Sequence, residues 1–469
     1  MSLFLPYFAH QMKSSSPQKL PLALILIFAL GQMGWSLASF SVSNLLTYFY
    51  MPPEDASGRG LFPTLIPQEA LLFSLTILGI LNFGSRIFDA IKDPLIAHLS
   101  DRSTSRFGRR RIFLLIGATP LSAFSFLTFF PPDLAATSGN VIWLAVTLLC
   151  FYISFSLYVT PFNALIAEYG HTASERLNIS TWISITWALG FALGNQIYGL
   201  QSWVQRQWQL DSLRSFQYVI LAFALIAWIL MLLPVIFIQE SKYASFTPST
   251  ENIFSSLKAT WRDLNFRFFL FSDLFYWLSL TFIQLGMNYY ILVLLELPAS
   301  LLSGLMLLLF ALSFVFYAPI NILAQRWGKR PLLIFAFCVL SLVFLIASQL
   351  GKLPLSAEFQ AYSIAILASL PLAIFGILPN ALIADLAQEA ALKSGLNRTA
   401  MYYGTRTLAM KLGISAANLL FPSLLLAGKG VGNDLGIRLS AITAVGFGLL
   451  GLLCYLRVRE TTNCRQKTP

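Results

Sequence analysis

The sequence predicts an all-α integral membrane protein with about twelve transmembrane helices, arranged as two six-helix pseudo-repeated bundles. Three observations carry this expectation. The 469 residues are 57% hydrophobic and 11% charged, with a mean hydropathy of +0.71, well outside the composition of a soluble domain. The apolar residues form long continuous runs that cross ~30 Å of hydrocarbon as helices, whereas a barrel needs alternating strands of ~10 residues. Two motifs also recur at a nearly constant offset, the mark of an internal duplication.

Taken in order, the runs have approximate cores at 22 to 48, 70 to 98, 112 to 131, 141 to 166, 180 to 203, 217 to 238, 268 to 294, 300 to 323, 331 to 350, 361 to 383, 400 to 427 and 436 to 456. Before the first, MSLFLPYFAHQMKSSSPQKL lacks the basic region, short apolar stretch and small-residue cleavage site of a removable signal, so the first span is expected to target the membrane itself. Cys150, Cys338, Cys454 and Cys464 are scattered without paired spacing, and neither a disulfide framework nor a metal site is expected. A net charge of +11 invites nucleic acid as a partner, but its placement argues otherwise. Lys and Arg gather in the terminal segments and in alternate loops, while the other loops hold Arg59, Arg206, Arg214, Lys352, Lys429 and Arg438. That pattern puts both termini on the cytoplasmic side of a cell (inner or plasma) membrane, with basic patches facing membrane lipids.

SRFGRRRIFLLIG at 105 to 117 leads into span 3, and QRWGKRPLLIFAF at 325 to 337 leads into span 9, an offset of 220. PFNALIAE at 161 to 168 closes span 4, and LPNALIAD at 378 to 385 closes span 10, an offset of 217. The chain therefore divides into residues 1–238 and 267–469, joined by a polar linker at 239–266, as a repeated transporter would. A single R-x-G-[KR]-R copy reads equally well as plain topology charge. Duplication, with Glu168 and Asp385 at matching positions, favours a cytoplasmic gate. Its expected members are Asp101, Arg102, Arg106, Arg109, Arg110, Glu168, Arg176, Arg326, Arg330, Asp385 and Arg398, pairing across the inner ends when that side is shut.

DAIKDPLIAHLSDRSTSRFGRRR, PFNALIAEYGHTASERLN and ALIADLAQEAALKSGLNRTAMYYGTRTLAMKLG together resemble the glycoside-pentoside-hexuronide:cation symporters, the melibiose-carrier-like branch of the major facilitator superfamily. The similarity covers almost the whole chain. It implies the major facilitator fold and a secondary active symporter of a small-molecule substrate, a sugar or glycoside by default, working as a monomer. It implies no cofactor and no covalent chemistry.

An ionised side chain within a span is costly unless paired, and such residues normally face an internal cavity. Asp89 and Asp93 are four apart and share a helical face, and Arg86 lies one turn earlier on the same side. An Arg86–Asp89 ion pair is the purely structural reading. Pro94 fits a locally irregular helix offering backbone carbonyls. The resemblance assigns Asp89 and Asp93 to the coupling cation, H+ or Na+, adds a span-4 hydroxyl at Ser156, and places a basic residue nearby at Lys411. Relatives carry a neutral residue where this chain has Lys92. An ammonium there supplies the charge that sodium otherwise brings, and so favours protons or weakened coupling, unless it turns away at the stripe's edge.

Substrate positions implied by the resemblance are Met33, Val159, Asn163, Arg406 and Thr407. The sugar-gripping carboxylates of spans 1 and 4 and the aromatic beside them are replaced by Met33, Val159 and Asn163. Asp273 could add an acid but lies near a span start. Counting Arg86, Lys92, Arg406 and Lys411 against Asp89, Asp93 and Asp273 leaves a positive excess, which favours an anionic or zwitterionic substrate held by Arg406. Trp35, Trp182 and Trp187 would suit an amphipathic body. A lysolipid transporter or flippase on the same scaffold is the main rival. A membrane enzyme is disfavoured, since His10, His98 and His171 are unpaired and no H-E-x-x-H or nucleophile elbow occurs, and no phosphate-loop motif supports ATP-driven transport.

Overall fold

The computed structural model describes residues 18–54, 60–72, 75–103, 105–244, 261, 263–394 and 399–459. Two polar helices aside, it is built from twelve long helices, with one short β-hairpin among the described residues. The first set comprises α1 (Leu22–Tyr50), α2 (Ile77–Arg102), α3 (Arg111–Leu127), α4 (Ser138–Tyr169), α5 (Ala173–Gly194), α6 (Ile197–Trp208), α7 (Ser212–Phe237) and the single turn α8 (Glu240–Tyr243). The second comprises α9 (Leu264–Tyr289, continued as a π-turn over Tyr290–Leu294), α10 (Ala299–Trp327), α11 (Lys329–Ser348), α12 (Ala357–Ser394), α13 (Thr399–Leu425) and α14 (Leu435–Leu456). Nine of the described helices are long and apolar enough to cross a bilayer; α3 is apolar but only 17 residues long, and α2 and α5 carry polar interruptions.

Local chemistry sets the departures from the expected spans. The second run does not begin as a helix at 70: Ala70–Leu72 (β1) and Leu75–Thr76 (β2) pair antiparallel, and the Thr76 hydroxyl accepts the Gly79 N–H at 3.1 Å, capping α2 there. From that cap α2 runs unbroken to Arg102, so the local irregularity expected around Pro94 does not interrupt the helix; packing against α4 and α13 holds it. The fifth run breaks between Gly194 and Ile197, where Ser303 of α10 stitches the gap by donating to the Asn195 carbonyl and accepting from the Gly199 N–H, both at 3.0 Å. The interior of the 239–266 linker lies outside the described residues.

Packing repeats between the sets. α1 lies against α5 and α7 as α9 lies against α13 and α14, and α2 against α4 as α10 against α12. The sets meet along α2 and α13, along α6 and α10, and between α1 and α9. At the end of the bundle away from the termini, here the far end, Tyr48, Phe49, Phe62, Phe129 and Phe216 form an interlocked aromatic core in the first set.

Candidate functional site

Asp89 and Asp93, one turn apart on α2, face the neighbouring α4 and α13, and Asp89 is 2% exposed. Lys92 turns inward rather than away: its Nζ donates to Asp89 Oδ1 at 2.7 Å, to Ser156 Oγ at 2.6 Å and to the Tyr152 carbonyl. Those three bonds use every N–H of an ammonium. From the other set, Lys411 Nζ donates to Asp89 Oδ2 at 2.8 Å and to Asp93 Oδ2. The Ser156 hydroxyl reaches Asp89 Oδ1 at 3.1 Å and Asp93 Oδ1, and with one proton it serves one of them at a time. All four carboxylate oxygens are thus met by the protein's own donors, and two acids with two lysines sum to zero. Removing one partner from such a buried pair typically costs about 3–5 kcal/mol, so the members are held as a unit.

Arg86 stands apart from this cluster. Asp89 has both oxygens engaged by Lys92 and Lys411, and the Arg86–Asp89 pair is not formed. Instead Arg86 Nη2 donates to Ser43 Oγ of α1 at 2.7 Å, and the guanidinium sits 5.2 Å from the Tyr152 ring centroid. Arg406 also differs from expectation. Its Nε and Nη2 grip Asp273 Oδ2 and Oδ1 at 3.0 and 3.1 Å, and its Nη1 donates to Asn380 Oδ1. Asp273 is therefore a buried partner inside the bundle, not an interfacial acid, and the Arg406 fork expected to hold a substrate is engaged by the protein itself.

The remaining substrate positions are dispersed: Met33 is half-buried, Val159 buried, Asn163 exposed, and Thr407 donates to the Tyr403 carbonyl of its own helix at 3.0 Å. Trp35 packs edge-on against Phe155, and Trp187 is exposed. The space between the sets is lined by residues that sequence reasoning missed. A narrow cleft, with about 30 Å3 of space that water could occupy, is bordered by Phe40, Asn44, Phe191, Tyr276, Gln284 and Phe375 among others, none of them charged.

At the terminal end, Arg109, Arg110 and Glu168 pair within the first set, and Lys329 and Asp385 within the second. Arg109 and Arg110 both hold Glu168, the Arg110 Nε at 3.0 Å, and Lys329 holds Asp385 at 2.5 Å. The offset of 220 carries Arg109 onto Lys329 and that of 217 carries Glu168 onto Asp385, so the pairs are repeat copies of one another. Gly108 and Gly328 occupy the same place in both loops with φ of +111° and +87°, a conformation only glycine adopts without strain. Beside the first loop Glu240 accepts the backbone N–H groups of Arg110 and Arg111 at 2.9 and 2.8 Å, an acid at the start of α3 that complements its dipole. Arg102, Arg106 and Arg326 are exposed, and Arg330 donates to the Leu456 carbonyl. The side chains of Asp101, Arg176 and Arg398 lie outside the described residues. Burial holds the Glu168 carboxyl above the usual carboxylate range, against the pull of Arg110 and Arg109.

The sequence family described as MFS/sugar transport protein matches residues 27–454. The chain belongs to this family. The transporter is 35% identical over 109 residues to the putative glycoside/cation symporter YagG of Escherichia coli K12, and 24% identical over 253 residues to the isoprimeverose transporter of Lactiplantibacillus pentosus. It is 30% identical over 123 residues to sodium-dependent lysophosphatidylcholine symporter 1 of Gallus gallus. These matches cover 23%, 54% and 26% of the transporter and 24%, 49% and 23% of the relatives, so it spans half or less of each. Among solved structures, the inward-open xylose transporter XylE from E. coli superposes with a TM-score of 0.64 at 15% identity, covering 94% of this chain and 97% of that one. The nucleoside transporter NupG gives 0.65 at 13% identity, covering 93% and 99%. The fold is that of the major facilitator superfamily, the protein is a multi-pass integral membrane transporter, and the enzyme alternative is set aside.

Proposed function

We propose that the transporter is a secondary active symporter that couples a small organic solute to protons at the Asp89–Asp93 cluster, while residues 1–238 and 267–469 rock about it. The position of Lys92 supports this reading. Its ammonium stands among Asp89, Ser156 and the Tyr152 carbonyl, the oxygens a sodium ion would need. A second cation held about 4 Å away would meet ~4 kcal/mol of repulsion at an effective dielectric of 20. A proton can instead neutralise Asp93, whose side chain is 29% exposed against 3% for Asp89. Neutral Asp93 releases one of the two bonds by which Lys411 ties α13 to α2. The site lies within one chain, in a cell membrane with both termini cytoplasmic.

Uptake into proteoliposomes under imposed gradients tests this. A pH gradient should drive accumulation with no added sodium, and strict sodium dependence without a pH effect would sink the proton assignment. A lysolipid or amphiphile transporter is the second reading, favoured by the uncharged, largely apolar cleft. Parallel assays with sugars, uronides and lysophospholipids separate the two.

A further inference from the structure

The two repeated loops differ in how their second arginine is met. An offset of 220 carries Arg110 onto Arg330, yet Arg110 holds Glu168 through its Nε at 3.0 Å, whereas the matching acid of the second set, Asp385, is taken by Lys329. Arg330 pairs with no carboxylate among the described residues. Its Nη2 donates to the Leu456 carbonyl at 2.8 Å, which fixes the guanidinium beside the end of α14. Its Nε–H is buried without an acceptor, and its Nη1 makes no hydrogen bond among the described residues. Two more arginines stand exposed at this end: Arg326, in the last turn of α10, and Arg457, next along the chain from Leu456.

Beyond Arg330 the outer side of α11 is apolar. Pro331, Ile334, Phe335 and Cys338, spaced as one helical face, border with Arg330 itself an open groove of about 640 Å3. α11 is long and apolar enough to span the bilayer and packs chiefly against α12 and α14 of its own set, so this face looks out into lipid. In the first set the positions 220 earlier than Ile334 and Cys338 are Leu114 and Ala118, both buried, whereas Ile334 is half-buried and Cys338 exposed. The unpaired arginine and the groove therefore occur together, in the repeat whose counterpart has a paired arginine and buried residues at those two positions. A guanidinium fork suits phosphate oxygens, and a headgroup carrying its own ammonium would bring a like charge to Arg326, Arg330 and Arg457.

We propose that Arg330 and the α11 groove form a binding site for an anionic phospholipid of the leaflet at the terminal end, with the phosphate on the Nη1 side of the guanidinium and one acyl chain along Pro331, Phe335 and Cys338. The inference stands apart from the choice of coupled ion and of transported solute.

Native mass spectrometry of the full chain tests this, with the protein released from detergent containing equal amounts of phosphatidylglycerol and phosphatidylcholine of the same acyl chains. The wild type should retain the anionic lipid over the zwitterionic one by about fivefold or more, the preference that one arginine at a membrane surface supplies. Arg330→Gln should remove most of that preference and Arg330→Lys should keep part of it. Arg106→Gln, which removes the exposed arginine that the offset of 220 matches to Arg326, should leave it intact. Cys338→Trp fills the groove without touching a charge and should lower retention of phosphatidylglycerol. Millimolar glycerol 3-phosphate should fail to displace the lipid, because it brings the phosphate without the chain. No preference in the wild type, equal losses in Arg106→Gln and Arg330→Gln, unaltered retention in Cys338→Trp, or displacement by glycerol 3-phosphate overturns the proposal. Should Arg330→Gln fail to fold, Arg330→Lys and Cys338→Trp decide.

Discussion

Lys92 is the side chain on which the choice of ion turns. Replacing it by the neutral amide, Lys92→Asn, empties the space among Asp89, Ser156 and the Tyr152 carbonyl and removes the repulsion on an added cation. The expected outcome is a gain of sodium-stimulated uptake, read as sodium-dependent current on a supported membrane; an unchanged sodium response would mean that Lys92 does not guard the site. Lys411→Gln leaves Asp93 with Ser156 as its one remaining partner in the cluster, and gradient-driven accumulation should fall by an order of magnitude or more while the chain still reaches the membrane. At this scale Asp89 and Asp93 were legible from spacing, because a helix fixes which residues share a face, and Ser156 and Lys411 only through the family resemblance that assigns them to the same site. The partners of Arg86 and Arg406 were not. Several cations compete for the same few oxygens, and the winner is decided by which helices pack side by side.

The repeated loops before α3 and α11 make predictions about elements. Gly328→Ala places a Cβ on a backbone with φ of +87°, and Gly108→Ala adds a contact of 2.6 Å with Glu240 Oε2. Each should cost about 1–3 kcal/mol, seen as a lower unfolding temperature, with Gly108→Ala the more damaging. The raised Glu168 carboxyl sets a pH dependence. The folded protein holds this proton at pH values where an unfolded glutamate has lost it, so stability from this group falls as pH rises from the ordinary glutamate range through the raised value. Glu168→Gln should flatten that slope in thermal unfolding measured between mildly acidic and neutral pH; an identical slope in both proteins would show that another group is responsible. The duplication exposed the loops in the sequence, but the residues expected in the second were Arg326 and Arg330, and Lys329, which the offset from Arg109 reaches, was not among them. Glu240 left no such trace, since its contact with Arg110 spans 130 positions of chain.

At the scale of the whole molecule, the bonds between the sets seen among the described residues gather at the Asp89 cluster and the far end. Lys429, buried in the loop after α13, holds Glu54 Oε1 at 3.1 Å and Gln68 Oε1 at 2.5 Å, and the Val431 N–H donates to the Glu54 carbonyl. Tyr289 donates to the Met51 carbonyl at 2.6 Å, and Asn82 to Asn418 at 2.9 Å. This latch must part for access to reach the far side. Lys429→Met combined with Tyr289→Phe should shift the population toward a far-end-open state, visible as a longer spin-label distance between the loops; an unchanged distance distribution would show that the seal lies elsewhere. The spans were legible because hydrocarbon thickness imposes a length that nine of the described helices meet, whereas Lys429 read only as one loop charge among several. One consequence of the neutral midplane cluster is electrical. Moving one elementary charge through 100 mV is worth ~2.3 kcal/mol, but two acids and two lysines that carry no net charge give the field nothing to act on when the empty carrier resets. Membrane voltage at this cluster would bear on the arriving proton alone, so the loaded half of the cycle would answer to potential there and the return would not.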